Sequence, residues 1–446
     1  MSNICAISTG LSTSGISVIR CSGFNILEQV SKILKQPILD QKPNTIEHNY
    51  LYINNKVVDE VLISYFQAPK SFTGEDVIEI NIHGGVILTK KVLNYLLDLD
   101  FKLAQPGEFS KRAFLNNKKS LNQLEVFNDI INAKSEKGLD ISLNSLNNDN
   151  NLLLSDISND LIQIINNISV NIDYPEYDDT NVDYSNLNSS VLNIKERIDS
   201  LIFNTQKGEL LKNGINTAII GKTNVGKSSL LNKLADKDKA IVTDIQGTTR
   251  DVVESEVLID GVLINLYDTA GIRQSDNKVE SIGIDKSKEI INKVDLVLYM
   301  IDGTQNIDQE DKEIYNLIKD KPHLVIVNKY DLYTESRLKE LNADVEISIE
   351  TQHNLDVLKD HIFKKIDILN LDYNKMLVLS SIEDLSNLEL AQDKLDLVLK
   401  NIENKQLMDT IEIDLKEILF IINDILKKEV KEDLLNDMFS RFCLGK

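Results

Sequence analysis

No run of this 446-residue sequence approaches the ~20 uninterrupted apolar residues that a membrane-spanning helix needs. The opening MSNICAISTG has neither the basic and apolar regions of a secretory leader nor the Arg-rich amphipathic character of a transit peptide. Cysteine is scarce: Cys5, Cys21 and Cys443 show no metal-ligand spacing and no even disulfide count. That suits a reducing compartment and an expectation of cytoplasmic residence, with no membrane partner. The closing CLGK resembles a prenylation box only superficially, because Lys is not typical of the last position. Basic residues are in deficit, 49 Lys and Arg against 70 Asp and Glu, for a net charge of −21. A chain whose main task is gripping nucleic-acid backbone would usually be basic, so any RNA would meet a local patch or come with a partner's help. The acidic excess reads first as solubility.

What is present is ordinary globular material, 42% hydrophobic and 27% charged, in a length that implies two to four domains. Residues 1 to 118 read as α/β. ICAIS and SVIR are short apolar runs, and two strand-like runs flank an Asn54-Asn55 turn. Ile78, Ile80 and Ile82 alternate with polar residues as a half-buried strand requires, before Gly84-Gly85 breaks it and Val86 to Leu97 takes helical spacing. Residues 119 to 214 carry amphipathic stripes, Leu154, Ile157, Leu161, Ile164 and Ile168, then Leu187, Val191, Ile194, Ile198 and Leu201, separated by a turn-rich acidic break from Tyr174 to Asn186. From 215 to 370 strand and helix alternate, predicting a parallel sheet with crossover helices, interrupted by one hairpin at Asp260-Gly261. LVLYMID (296–302) and LVIVN (324–328) are its buried-strand candidates. From 371 to 446 the helical stripe returns through Ile411, Leu415, Ile418, Ile422 and Ile425. The fold class expected is therefore α/β plus all-α, with an α/β unit inserted into one helical domain whose two parts flank it.

The inserted unit carries the chemistry. INTAIIGKTNVGKSSLLNKL is a strand, a glycine-rich turn and a helix start, with Gly221, Gly226, Lys227 and Ser228 in the Walker A pattern. Glycines let backbone N–H groups approach phosphates, and the helix N-terminus adds partial positive charge. Lys227 is expected at the β and γ phosphates and Ser228 on Mg²⁺. Asp268-Thr269-Ala270-Gly271 follows a strand, placing Asp268 near Mg²⁺ and the Gly271 N–H near the γ-phosphate. Asn328-Lys329-Tyr330-Asp331 ends the LVIVN strand and resembles the GTPase guanine-reading motif, in which Asp331 accepts from the base's N1–H and amine. A buried carboxylate without those donors is costly, so adenine is rejected and GTP is the substrate. Ser348-Ile349-Glu350 stands where GTPases usually carry Ser-Ala-Lys. Ile272 stands where Ras-like enzymes place their catalytic Gln; an apolar residue cannot orient water, so another group must, or turnover is slow.

These motifs, together with TDIQGTTRD, SFTGEDVIEINIHGG, PGEFSKRAFLNNK and the terminal FCLGK, give a chain that resembles the MnmE (TrmE) family of tRNA-modification GTPases over essentially its full length. The resemblance implies a homodimer that pairs with an MnmG-type FAD protein to place aminomethyl-type groups on the wobble uridine of certain tRNAs, with a tetrahydrofolate derivative as one-carbon donor. It implies G domains that pair across their nucleotides with bound K⁺. It assigns K⁺ to Asn224, Thr243, Ile245 and Thr248, Mg²⁺ to Ser228 and Thr249, and the catalytic acid to Glu280 in KVESIG, replacing the missing Gln. It completes the nucleotide contacts with Val225, Ser229, Asp244, Gln246 and Gly247. For the folate pocket of an N-terminal folate-binding-like domain it points to Arg20, Glu75, Lys118 and Lys446, a cation-and-carboxylate set suited to pterin edges and an anionic glutamate tail. Residue chemistry alone would single out neither Glu280 nor Asn224. His83, beside the Gly-Gly turn, reads as structural.

The chain departs from that pattern in three places. TGLSTSGIS at residues 9–17 replaces a Pro- and Gly-rich stretch, Thr223 replaces a common Pro of the phosphate loop, and KKSLNQLE replaces the usual Asp-Leu and Gln-Ala-Glu run. A GTP-gated ribosome-assembly factor of the Era or Der kind is the alternative reading, which a basic RNA-binding domain would favour. A nucleotide-dependent scaffold without useful turnover is the third.

Overall fold

A computed structural model describes residues 2–147, 150–173, 184–237, 255–268, 290–333, 335–337, 339, 341–368, 371–372, 376–379, 381–427, 439, 442 and 445. The chain divides into two compact units, Met1–Asn128 with Asp424–Lys446, and Asp129–Asn423.

The first unit is built on six strands, β1 (Ile4–Ile7), β2 (Ile16–Gly23), β3 (Thr45–Ile53), β4 (Lys56–Phe66), β5 (Asp76–His83) and β6 (Lys102–Leu103). Their order is β3-β4-β5-β2-β1-β6, antiparallel except for the short β1–β6 pair. The β3–β4 turn is the expected Asn54-Asn55, with φ of 52° and 61°. Asn is among the few non-glycine residues that tolerate that left-handed region at both turn positions. Alternation sorts the side chains: Ile19, Cys21, Ile78, Ile80 and Ile82 enter one core with Val30 of the helix Ile26–Ser31 and Val92 and Leu96 of the helix Val86–Leu97. The opposite face carries Arg20, Ser22 and Glu79, beside a smaller cluster of Ile4, Ala6, Ala104 and Phe109. Phe439 and Phe442 pack with Leu121 and Leu124 in the same unit.

The second unit holds the long amphipathic helices Asn150–Asp173, Tyr184–Asn213, Ile382–Glu403 and Met408–Lys427. The stripe residues face inward: Leu154, Ile157, Leu161, Ile168, Val191, Ile198, Ile411, Leu415 and Ile422 are all buried. One register differs from expectation, since Ile165 is buried where Ile164 is half-exposed. Tyr184 already belongs to a helix, inside the stretch read as a break.

Its sheet comprises β7 (Ile215–Ile220), β8 (Ser255–Ile259), β9 (Val262–Asp268), β10 (Leu296–Asp302), β11 (His323–Asn328) and β12 (Val345–Glu346), in the order β12-β11-β10-β7-β9-β8. All neighbours are parallel except the β8–β9 hairpin, which turns at Asp260-Gly261 as its sequence predicts. β10 is buried at every position. Leu296, Leu298 and Met300 point to one core with Leu230 and Leu358, while Val297, Tyr299 and Ile301 point to another with Ile314 and Ile318. Helices therefore cover both faces, which is why the strand reads as a continuous apolar run instead of alternating. Among the described residues, no helix is long and apolar enough to cross a membrane.

Candidate functional site

Parallel strands place their C-terminal ends at one edge, and ligands of open α/β sheets bind there. β7 ends at Ile220, directly before the glycine-rich loop, and its Ile219 stands opposite Asp268 at the end of β9. β10 and β11 end together, with Asp302 opposite Asn328. Chain direction alone thus brings the phosphate loop, the end of β9 at Asp268 and the Asn328-Lys329-Tyr330-Asp331 turn to the same rim.

The loop's shape needs its glycines. Gly221 has φ 153°, and a Cβ there would lie 2.3 Å from the Met300 carbonyl oxygen. Gly226 has φ 105°, and its Cβ would meet Asn328 Nδ2 at 2.5 Å. Asn224 sits at φ 63° with an exposed side chain, and Val225 is buried beneath the loop. Lys227 folds back over the loop, its Nζ donating to the Gly221 and Lys222 carbonyls at 2.7 and 2.5 Å. Ser228 and Ser229, in the first turn of the helix Lys227–Lys237, are exposed toward solvent.

The base-reading turn is tied to that loop. Asn328 Nδ2 donates to the Val225 carbonyl at 2.8 Å, and Asn328 Oδ1 accepts from the Ile349 N–H at 3.3 Å. Lys329, at φ 69°, places its ammonium 2.6 Å from Asp302. Asp331 Oδ1 accepts from Ser348 Oγ at 2.5 Å, and Tyr330 stacks on His353 with ring centroids 4.7 Å apart. Ser348 is therefore the anchor of Asp331, although its neighbours depart from the usual Ser-Ala-Lys. Thr243, Asp244, Ile245, Gln246, Gly247, Thr248, Thr249, Thr269, Ala270, Gly271, Ile272 and Glu280 lie outside the described residues, as does the side chain of Asp268.

The structure separates the expected folate set into two groups. Arg20 Nε and Nη2 donate to one oxygen of Glu79, at 3.0 and 2.8 Å, and Nη1 donates to the Gly445 carbonyl at 3.3 Å. Its guanidinium also stands 5.8 Å from the Phe72 and Phe109 ring centroids. Glu75 takes no part in this group. It is 4% exposed, and its carboxylate accepts from Arg112 at 2.9 Å and from Ser22 Oγ at 2.8 Å, a buried structural pair. Lys118 is exposed, its stem lying against Gly74. Lys446 is outside the described residues; Gly445, at φ 97°, lies against Ile7 and Ser8, its carbonyl accepting from Ser8 Oγ. Glu79, the carboxylate that Arg20 meets, was not among the expected residues, and only the strand register that sets it opposite Arg20 picks it out.

His83 donates its backbone N–H to Asp59 and sets Nδ1 2.7 Å from the same carboxylate, which raises the imidazole pKa by hydrogen bonding and charge. The loop at 9–17 is held by a Thr9–Ser17 hydroxyl contact at 3.0 Å and by Ser14 N–H on the Gly84 carbonyl. An open pocket of about 930 Å³ lined by Thr13, Ile53, Lys56, Ile87, Lys91 and Tyr95 includes none of the predicted site residues.

The family model described as the GTP-binding protein TrmE N-terminus matches residues 3–118, and the MnmE helical domain model matches residues 121–443. The tRNA modification GTPase MnmE of Acholeplasma laidlawii is 39% identical over 446 residues, covering 99% of both chains. Those of Streptococcus thermophilus and Mycoplasma mycoides are 36% and 37% identical, covering 99% of this chain and 98% and 99% of theirs. Among solved structures, Aquifex aeolicus Era bound to GDP·AlF4⁻ is similar over 40% of this chain and 66% of its own, at 28% identity and a TM-score of 0.28. The FeoB G domain of Methanococcus jannaschii is similar over 34% of this chain and 97% of its own, at 23% identity and a TM-score of 0.26.

Proposed function

The chain belongs to the MnmE family, and from that premise we propose that it binds GTP at the rim of the second sheet and couples its hydrolysis to wobble-uridine modification. It is a GTP hydrolase of tRNA modification. The observation that carries the site is the Asn328 side chain, which ties the base-reading turn to the Val225 carbonyl of the phosphate loop and to the Ile349 N–H beside Ser348. One amide thereby sets the distance between phosphate and base sites.

In this reading Lys227 leaves part of its carbonyl cradle to meet the phosphates, and Asp331, held by Ser348, reads guanine. Ser228 and Thr249 hold Mg²⁺, with Asp268 close by. Asn224, exposed in a left-handed turn of the loop, fits a monovalent-cation ligand; Thr243, Ile245 and Thr248 complete that site. K⁺ there supplies positive charge against the charge that develops during phosphoryl transfer. Glu280 orients water in place of the absent Gln.

The partly exposed Arg20, its Glu79 partner and the neighbouring, partly buried Phe72 fit the amide edges and flat ring of a tetrahydrofolate, with Lys118 and Lys446 for the anionic tail. Bound there, the folate supplies the one-carbon unit. The division into residues 1–118, 119–214 with 371–446, and 215–370 assigns folate binding, scaffold and GTPase. The working assembly is a homodimer with an MnmG-type FAD protein, adding the carboxymethylaminomethyl or aminomethyl group at C5 of the wobble uridine of certain tRNAs. GTP turnover in K⁺ against Na⁺ tests the mechanism. Strong K⁺ stimulation that disappears in Glu280→Ala is expected; equal slow rates in both salts would remove cation-driven pairing.

A further inference from the structure

Lys222, the second residue of the phosphate loop, makes contacts that the loop's motif does not demand. Its ammonium lies 2.7 Å from Asp308 Oδ2 and 2.5 Å from Asp311 Oδ2, with its side chain only 14% exposed and that of Asp311 7%. Those carboxylates form the capping box of the helix Gln309–Ile318. Asp308 accepts from the Asp311 N–H at 3.2 Å, and Asp311 accepts from the Asp308 N–H at 3.1 Å. Tyr299, buried in β10, donates its hydroxyl to Asp311 at 3.2 Å. On its main chain, the Lys222 carbonyl, with that of Gly221, holds Lys227 Nζ. A single residue therefore joins the phosphate-binding lysine to the start of a neighbouring helix.

We propose that Lys222 is a positioning residue of the nucleotide site, whose ion pair with Asp308 and Asp311 fixes the carbonyl cradle that presents Lys227 to the phosphates. The inference rests on the GTP-site reading above. An exposed Lys–Asp pair would contribute little. Asp308, 60% exposed, adds only what an exposed partner adds, but Asp311 is buried and already committed to a helix cap, so the ammonium meets a fixed target there. A cradle set before the nucleotide arrives lowers the ordering cost of binding. It acts first through the β-phosphate, which GTP and GDP share, so its loss falls mainly on affinity.

The test uses the full chain, with GDP titrated by calorimetry and GTP turnover measured alongside. Lys222→Met is expected to raise the GDP Kd and the GTP KM together by about tenfold, with kcat within about twofold of wild type. Lys222→Arg restores both. Asp308→Asn keeps the helix cap, since Asn caps as well as Asp, but removes the charge. It shifts Kd and KM the same way by a smaller factor, and it decides the matter if Lys222→Met does not fold. Wild-type Kd in both folded variants, or a fall in kcat at constant KM, overturns the positioning role. Failure of the wild-type chain to bind GDP at all would instead overturn the GTP-site reading.

Discussion

Glu75→Gln and Glu79→Gln change the same atoms four residues apart, yet the structure gives them opposite consequences. Glu75 and Arg112 are each 4% exposed. Removing one partner of such a pair leaves an uncompensated buried charge, at a cost of about 3–5 kcal/mol. Arg112 keeps Glu108 at 2.8 Å and the Ser2 carbonyl at 2.8 Å, which moves the expectation to the low end, about 3 kcal/mol. Arg20 and Glu79 are 20% and 24% exposed, so water replaces much of what the substitution removes, and the cost is at most about 1 kcal/mol. Hydrogen exchange of the β2 and β5 amides reads the difference as local opening. Glu75→Gln should accelerate it by roughly 100-fold and Glu79→Gln by less than about fivefold. Titration with 5-formyl-tetrahydrofolate should give the reverse order. Glu79→Gln should weaken binding by about tenfold or more, for a lost charge-assisted contact, while folded Glu75→Gln stays within about threefold of wild type. Wild-type exchange in Glu75→Gln combined with lost folate binding would refute the division of labour.

Two further outcomes follow from the second sheet. Asp331→Asn removes the carboxylate that accepts from guanine, worth about 1.5–3 kcal/mol or roughly 10- to 100-fold in GTP KM with kcat near wild type. Ser348→Ala, which frees that carboxylate, should move KM the same way by a smaller factor; unchanged KM in both would contradict the base-reading role. Burial works to raise the Asp302 pKa, but hydrogen bonds from Lys329 and Thr304, with the Lys329 charge, hold it below its ordinary value. A depressed folded pKa means stabilisation that is full above the unfolded value and lost as pH falls through the folded one. Lys329→Met should therefore melt lower than wild type from pH 7 to 5, with the gap closing below about pH 4. A gap that persists unchanged to pH 3 would show the pair contributes nothing electrostatic.

Legibility differed between the two sites for a physical reason. The phosphate loop, the strand before it and the helix after it are contiguous, so Gly221, Gly226, Lys227 and Ser228 announce strand, turn and helix in one stretch. The two hairpins were equally open to reading, because Asn54-Asn55 and Asp260-Gly261 both occupy positions of positive φ that few residues tolerate. β10 was legible as buried because helices pack on both faces and leave no polar position. The helical stripes gave the right helices but not every inward residue: Ile164 and Ile165 are adjacent, and only the packing partner decides which one turns in. Lys222 was invisible as a site residue because its partners, Asp308 and Asp311, lie far downstream at the start of the helix Gln309–Ile318.

The expected folate carboxylate, Glu75, stands apart from Arg20 for a related reason. GEDVIE offers Glu75 and Glu79, and a period of two sends both to the same side of the sheet. Composition cannot separate them, and neither can distance along the chain. The β2–β5 register does: it sets Arg20 opposite Glu79 and Ser22 opposite Val77, so Glu75 lies past the end of the ladder, where Ser22 and Arg112 reach it. Antiparallel neighbours on one face interact directly, so the cross-strand partner, not the nearest motif residue, inherits the cation. A buried guanidinium from the helix Glu108–Leu115 is then required to neutralise the carboxylate left behind. The PGEFSKRAF motif thereby gains a structural task, Arg112 completing the first sheet, that its reading as a family motif did not contain.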